Sequence, residues 1–125
     1  MNVPEQLFYH PSHEWVRLDG DTAIVGITDH AQTELTDVVY VELPALGQVV
    51  AAGAATAVVE SVKTASDIFS PLAGEVIAVN DELQNNPALI NSDPYGEGWI
   101  YQLRVSEPGA TAHLLDAAAY AAMLH

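Results

Sequence analysis

The segment VVESVKTASDIFSP, residues 58 to 71, decides how this chain is read. It holds Lys63, the only lysine in 125 residues that carry three Lys plus Arg in all. The run ATAVVE (55–60) precedes the lysine and ASDIFS (65–70) follows it. If the two runs pair antiparallel, the residues between them form a tight turn with Lys63 at its tip, where a rigid scaffold presents functional groups. Glu60 and Asp67 flank that turn with charge that a modifying enzyme can read. A lone lysine is ordinarily a solvated charge; its place on a hairpin singles this one out.

Outward from the hairpin, Pro44, Gly47, Val49 and Val50 recur as Pro71, Gly74, Val76 and Ile77, a constant offset of 27 residues. This repeat predicts two similar β units packed face to face about a pseudo-twofold axis, with Lys63 between them. VVYVELP (38–44) reads as a strand ending at Pro44. EWVRL, a DGD turn and TAIVGI read as a hairpin, about residues 13–27. In ITDHAQTELTD, Thr28 or Asp29 can cap a short helix, and Gln32 stands where a capping box started by Asp29 would place it. The Asn-, Asp-, Pro- and Gly-rich NDELQNNPALINSDPYGEGW (80–99) reads as largely loop. WIYQLRV is the next strand, with Trp99 and Tyr101 on one side of its alternation. The Ala-rich tail (about 111–125) is helix-prone, with Asp116 capping a second piece and Leu114, Leu115, Tyr120 and Leu124 docking it.

A length of 125 residues suits one domain, 1–125, and 50% hydrophobic against 16% charged residues excludes a disordered chain. Seventeen acidic residues give a formal charge of −14, which repels nucleic acid and anionic lipid and favours basic patches on protein partners. With no cysteine, any redox chemistry must come from a cofactor. The start MNVPEQLFYHPSHEW has neither a signal-peptide nor a transit-peptide pattern, which points to a bacterial cytoplasmic protein, or to the mitochondrial matrix if the chain is a processed eukaryotic one. Metal binding is not expected: His10, His13 and Glu14 lie close in HPSHEW, but Pro11 argues against the helix a zinc motif needs. Ser12 and His13 are sequence neighbours and need not converge as nucleophile and base. A Gly-rich phosphate loop is absent, and no complete catalytic set emerges; the chain reads as a carrier, not an enzyme.

HEWV (13–16), GITDHAQ (26–32), VYVELP (39–44), ESVKTASD (60–67), SPLAGEVI (70–77) and INSDPYGEGWI (90–100), in this order and almost end to end, resemble the H-protein family of the glycine cleavage system. The resemblance implies a mainly β fold, a barrel-sandwich hybrid of two small antiparallel sheets of the lipoyl/biotinyl-carrier type, with a short helix in the N-terminal half, a lipoyl core at about 37–105 and C-terminal helices. It implies lipoate joined to Lys63 as an amide, by a lipoate-attaching enzyme that reads Glu60 and Asp67. It implies a shuttle that receives an aminomethyl group from glycine decarboxylase (P protein), passes it to the tetrahydrofolate-dependent aminomethyltransferase (T protein), and is reoxidised by dihydrolipoamide dehydrogenase (L protein). Ser12, Glu14 and Asp67, with Trp15 packing nearby, are candidates for a cleft that shelters the loaded arm. Two positions depart from the family pattern: Thr64 stands where Ala is frequent, and Thr36 where a Gly commonly follows the short helix. Thr36 takes a left-handed backbone less readily than Gly, so the helix is expected to end differently. Rival readings are a relay that donates lipoate to other enzymes, another lipoyl or biotinyl swinging-arm module, and an unmodified interaction domain. Val62 and Thr64 beside the lysine fit neither the Met-flanked biotinyl nor the Asp-Lys-Ala lipoyl pattern.

Overall fold

The computed structural model describes residues 2–105 and 110–124; residue 125 of the expected helical tail lies outside them. The strands are β1 (Phe8–Tyr9), β2 (Glu14–Asp19), β3 (Thr22–Ile27), β4 (Val38–Glu42), β5 (Val49–Val50), β6 (Ala55–Ser61), β7 (Ala65–Phe69), β8 (Gly74–Val79) and β9 (Tyr101–Val105). They form a six-stranded sheet, β1-β2-β3-β9-β8-β5, and a three-stranded sheet, β4-β6-β7, all antiparallel. The chain is mainly β with two antiparallel sheets, as expected, but the sheets are unequal and neither closes into a barrel.

The repeat is real, although its units do not each form a sheet. β4 and β7 lie at the 27-residue offset and share the small sheet, while β5 and the start of β8 pair with each other, Val49 opposite Glu75 and Val50 opposite Gly74. Each unit thus gives strands to both sheets. The reason is local: the Pro and Gly that follow β4 and β7 turn the chain across to the other layer, and Gly47 takes the positive φ of 83° that this needs. Val16, Val25, Val41, Val59, Ile68, Val76 and Leu103 point inward from the two sheets and are buried between them.

Helix α1 (Asp29–Leu35) is capped by Thr28, whose side chain accepts from the Ala31 amide. Of the two cap candidates Thr28 prevails, and Gln32 bonds the Asp29 carboxylate instead of closing a capping box. The stretch 80–99 holds more order than its composition suggests: α2 (Glu82–Asn85) and α3 (Leu89–Ser92) are single turns pinned because Leu83 and Ile90 are fully buried. Trp99 and Tyr101 do not share a side. The strand starts only at Tyr101, which enters the core between the sheets, whereas Trp99 packs against a second cluster. That cluster, Leu7, Tyr9, Trp15, Ala117 and Tyr120, is closed by the tail. A 3₁₀ turn (Ala110–His113) leads to α4 (Ala117–Met123), which Asp116 caps through the Ala119 amide. Leu115 pairs with Tyr9 through two backbone hydrogen bonds, and the Tyr120 ring stacks on Tyr9 at 4.6 Å. No helix among the described residues is long and apolar enough to cross a membrane.

Candidate functional site

The β6–β7 hairpin carries Glu60, Lys63 and Asp67, three of the residues singled out in the sequence. Glu60 stands opposite Ala65, and Ser61 donates its amide to the Thr64 carbonyl at 2.7 Å, leaving Val62 and Lys63 as the corner. Both corner residues keep negative φ, so the turn is not the Gly-demanding type common in two-residue hairpins. Ser61 compensates. Its hydroxyl oxygen accepts from the amides of Lys63 and Thr64, at 3.2 and 3.1 Å, and its O–H donates to the Thr64 carbonyl. Val62 also donates its amide to the Asp37 carbonyl, which ties the corner to the segment entering β4.

Lys63 is exposed, and its Nζ donates to the Glu34 carbonyl at 2.9 Å, in the last turn of α1. Helix C-terminal carbonyls lack partners within the helix and attract cations, which accounts for the contact. One exposed hydrogen bond of this kind contributes about 1 kcal/mol, so the amine exchanges readily with water. Glu60 is half-buried and Asp67 exposed, on the outward side of the hairpin.

Ser12 and Glu14 form a separate group near the far end of β7. The Glu14 side chain is 1% exposed, accepts from the Ser12 hydroxyl in a short contact, and accepts from the Phe69 amide at 3.1 Å. Phe69 lies six positions on from Lys63, roughly 20 Å along a strand rising about 3.3 Å per residue. Burial pushes the Glu14 carboxyl up to about 7, against the lowering effect of these hydrogen bonds. The Ser12 amide donates to His10 Nδ1, and the Ser12 hydroxyl lies 2.6 Å from that nitrogen. Ionised Glu14 accepts from Ser12; neutral Glu14 can donate to Ser12, which then donates to His10. His13, between Ser12 and Glu14 in the chain, turns instead to the Tyr120 hydroxyl at 2.7 Å, and its ring packs against His30 at 4.5 Å.

The structure does not bring Trp15 to Ser12 and Glu14. Alternation along β2 puts Glu14 and Val16 on the side of the first core and Trp15 on the other, where its indole N–H donates to the Pro94 carbonyl at 3.0 Å. Sequence reading passed over two residues that shape the hairpin. Ser61 could have been found as a Ser two positions before a turn lysine, a spacing suited to a side-chain-closed turn. Glu34 gave no signal, because it contributes a main-chain carbonyl.

The glycine cleavage H-protein model matches residues 7–125 of this chain. The chain belongs to the glycine cleavage H-protein family. It is 58% identical over 125 residues to the glycine cleavage system H protein of Deinococcus deserti, covering 100% of both chains. It is 56% identical over 124 residues to that of Thermus thermophilus, covering 99% of this chain and 97% of the relative. The crystal structure of a glycine cleavage system H protein from Mycobacterium marinum superposes with a TM-score of 0.90 at 38% identity, covering 98% of each chain. Within an H-protein frame, Thr36 is one of two non-Gly residues at positive φ among the described residues, with His13 the other. It ends α1 with φ 64° and ψ −146°, a region all but reserved for Gly, so it does adopt the positive φ that its side chain disfavours. Asn91 holds it there, donating its side-chain amide to the Thr36 carbonyl at 2.7 Å and accepting from the Val38 amide at 2.9 Å.

Proposed function

We propose that this chain is the lipoyl-bearing shuttle of a glycine cleavage system, with lipoate joined by an amide to Lys63. The observation that carries the reading is a single lysine, exposed at the corner of a hairpin whose backbone Ser61 fixes, in a chain of the H-protein family. The residues fit the group: an amide needs an accessible amine on a rigid base, and Lys63 releases only one exposed hydrogen bond to form it. When bound, lipoate supplies the disulfide that a chain without cysteine lacks, opening to take up an aminomethyl group and closing on reoxidation. The protein itself is a carrier and not a catalyst.

Its partners on this reading are glycine decarboxylase, the tetrahydrofolate-dependent aminomethyltransferase, dihydrolipoamide dehydrogenase and a lipoate-attaching enzyme that reads Glu60 and Asp67 beside the turn. The bacterial relatives support a bacterial cytoplasmic setting. Ser12 and Glu14 are assigned to hold the loaded end of the arm, with Asp67 on the way from the turn. An ionised Glu14 there accepts from a cationic amine and keeps water from it. Trp15 supports this group from behind by fixing β2.

The test is intact mass and peptide mapping of the protein from its native source, with Lys63→Arg as control, followed by glycine-dependent release of carbon dioxide with the purified decarboxylase. Lipoate on Lys63 and carrier-dependent turnover that Lys63→Arg abolishes are the expected results. Unmodified Lys63 in cells with active lipoylation would defeat the proposal. Lipoylated protein that leaves carbon dioxide release unchanged would point to lipoate relay instead.

A further inference from the structure

We infer that His10 is the proton outlet of the Glu14 site: the proton that Glu14 loses when a cationic amine is seated beside it leaves through the Ser12 hydroxyl to His10 Nδ1 and so to water. The amine is that of the loaded arm, so the occasion rests on the carrier reading above. The route is built from this chain alone.

Three side chains of one short turn lie in order. The His10 amide donates to the Glu14 carbonyl and the His13 amide to the His10 carbonyl, each at 2.9 Å, which closes the turn, and Pro11 restricts its backbone. Within it, the Ser12 hydroxyl touches Glu14 Oε1 on one side and lies 2.6 Å from His10 Nδ1 on the other. Oε1 and Nδ1 are themselves 3.7 Å apart, too far for a direct hydrogen bond, so Ser12 is the bridge.

The number of hydrogens decides what this bridge carries. A serine hydroxyl has one hydrogen, and here it stands between two acceptors. A second hydrogen must therefore sit at one end of the chain, on Glu14 Oε1 or on His10 Nδ1. The Ser12 amide also donates to Nδ1, at 3.2 Å, which favours a bare Nδ1 with the ring hydrogen on Nε2. Glu14 Oε2 accepts from the Phe69 amide at 3.1 Å, so the acid proton belongs on Oε1, facing Ser12. In this state Glu14 donates to Ser12, and Ser12 donates to His10. On ionisation of Glu14, its proton passes to Ser12 Oγ while the serine hydrogen passes to Nδ1, and Nε2 releases its own hydrogen to water. One proton leaves Glu14 and one reaches solvent, no electron moves, and both hydrogen bonds are remade in the reverse sense.

The surroundings favour this route over others. The Glu14 side chain is 1% exposed, whereas 31% of the His10 side chain meets solvent. Tyr101 from β9 and Tyr120 from α4 also feel the carboxylate charge, but burial holds both phenols above their ordinary range, so they stay protonated and cannot accept. His113, in the 3₁₀ turn, stands near His10 and donates from Nε2 to the Pro71 carbonyl at 3.2 Å. Burial, reinforced by His113, holds the His10 ring below the usual histidine range, which leaves the Nδ1 lone pair able to accept at neutral pH.

The test follows the Glu14 proton itself, by carbon-13 NMR of the labelled carboxyl between about pH 6 and 8, in the unmodified full chain and in the lipoylated protein. His10→Asn keeps an acceptor for Ser12 but binds no proton, His10→Ala leaves a space that imidazole can enter, and His113→Asn is the control; thermal melts check folding. Exchange between acid and carboxylate should slow about a hundredfold in both His10 variants, within the span that a positioned proton carrier contributes, and added imidazole should restore it in His10→Ala. His113→Asn should match the parent. Parent-like exchange in His10→Asn would overturn the inference, because that variant keeps the geometry and loses only the proton carrier. Slowing in His10→Ala that imidazole leaves unchanged, or equal slowing in His113→Asn, would overturn it too, by reducing His10 to a packing role. A chain that shows the expected exchange yet carries no lipoate on Lys63 would instead strike the carrier reading and leave the route standing.

Discussion

At Glu14 the fold places a carboxyl where water cannot solvate its charge, and the consequence for stability has a definite sign. A folded-state pKa raised from 4.5 to about 7 means the native protein binds the proton more tightly than the unfolded chain. That contribution is complete below pH 4.5 and fades as pH rises through 7. At one pKa unit per about 1.4 kcal/mol, about 3 kcal/mol is at stake at most. Glu14→Gln should therefore gain stability over the parent between pH 5 and 8, seen as a rising difference in urea midpoints. A cationic amine brought to the same carboxylate shifts its pKa down, so loading the arm should release a proton near pH 7. Calorimetry in buffers of different ionisation enthalpy reads that release. Thr36→Gly should stabilise by about 1 kcal/mol, the relief of positive φ outweighing the added freedom of the unfolded chain. Of these residues, Lys63 was legible because it is unique in the sequence and stands between two strand-like runs. The separation of Trp15 from Glu14 is implied by the period of two, but the expected cleft placed the two residues together. The strain at Thr36 was not, because whether a Thr bends or the helix yields depends on Asn91, 55 residues away.

The hairpin illustrates what sequence patterns reveal at the scale of an element and what they hide. Alternation and β-branching locate β6 and β7, yet they say nothing of how a corner without Gly is closed. Ser61→Ala removes an acceptor from two amides, and it should cost about 1 kcal/mol and loosen the lysine corner. Faster amide hydrogen exchange at Lys63 and Thr64 is the measurement. In the β2–β3 hairpin, Trp15 faces Gly26, and a methyl group there would come within 2.7 Å of the indole. Because that ring is fully buried, Gly26→Ala should cost about 2 to 3 kcal/mol, read as a lower denaturant midpoint. The one-turn helices α2 and α3 escaped the sequence reading for a physical reason. Four-residue turns have no periodicity to detect, and they persist because Leu83 and Ile90 fill the core beneath them.

At the scale of the whole molecule, two hydrophobic clusters lie on either side of one sheet, with β2 contributing Val16 to the first and Trp15 to the second. A shared strand couples them, so thermal unfolding is expected as one cooperative transition with calorimetric and van't Hoff enthalpies in agreement. Two resolved transitions would show that the clusters melt separately. The internal repeat made the two layers legible, and the exchange of strands between units was hidden because offset alone does not say which strand pairs with which. The second cluster was half visible: the tail residues were marked as docking on the sheet, but the residues of their target were not. That target includes Tyr9, stacked on Tyr120, and the loop of His13, whose ring nitrogen meets the Tyr120 hydroxyl across 107 positions of sequence. During biosynthesis the ribosome delivers Tyr9 and Trp15 among the first residues and their covering ring more than a hundred positions later. Until then the nascent chain exposes these aromatics, and the lysine hairpin can fold well before the molecule around it is complete.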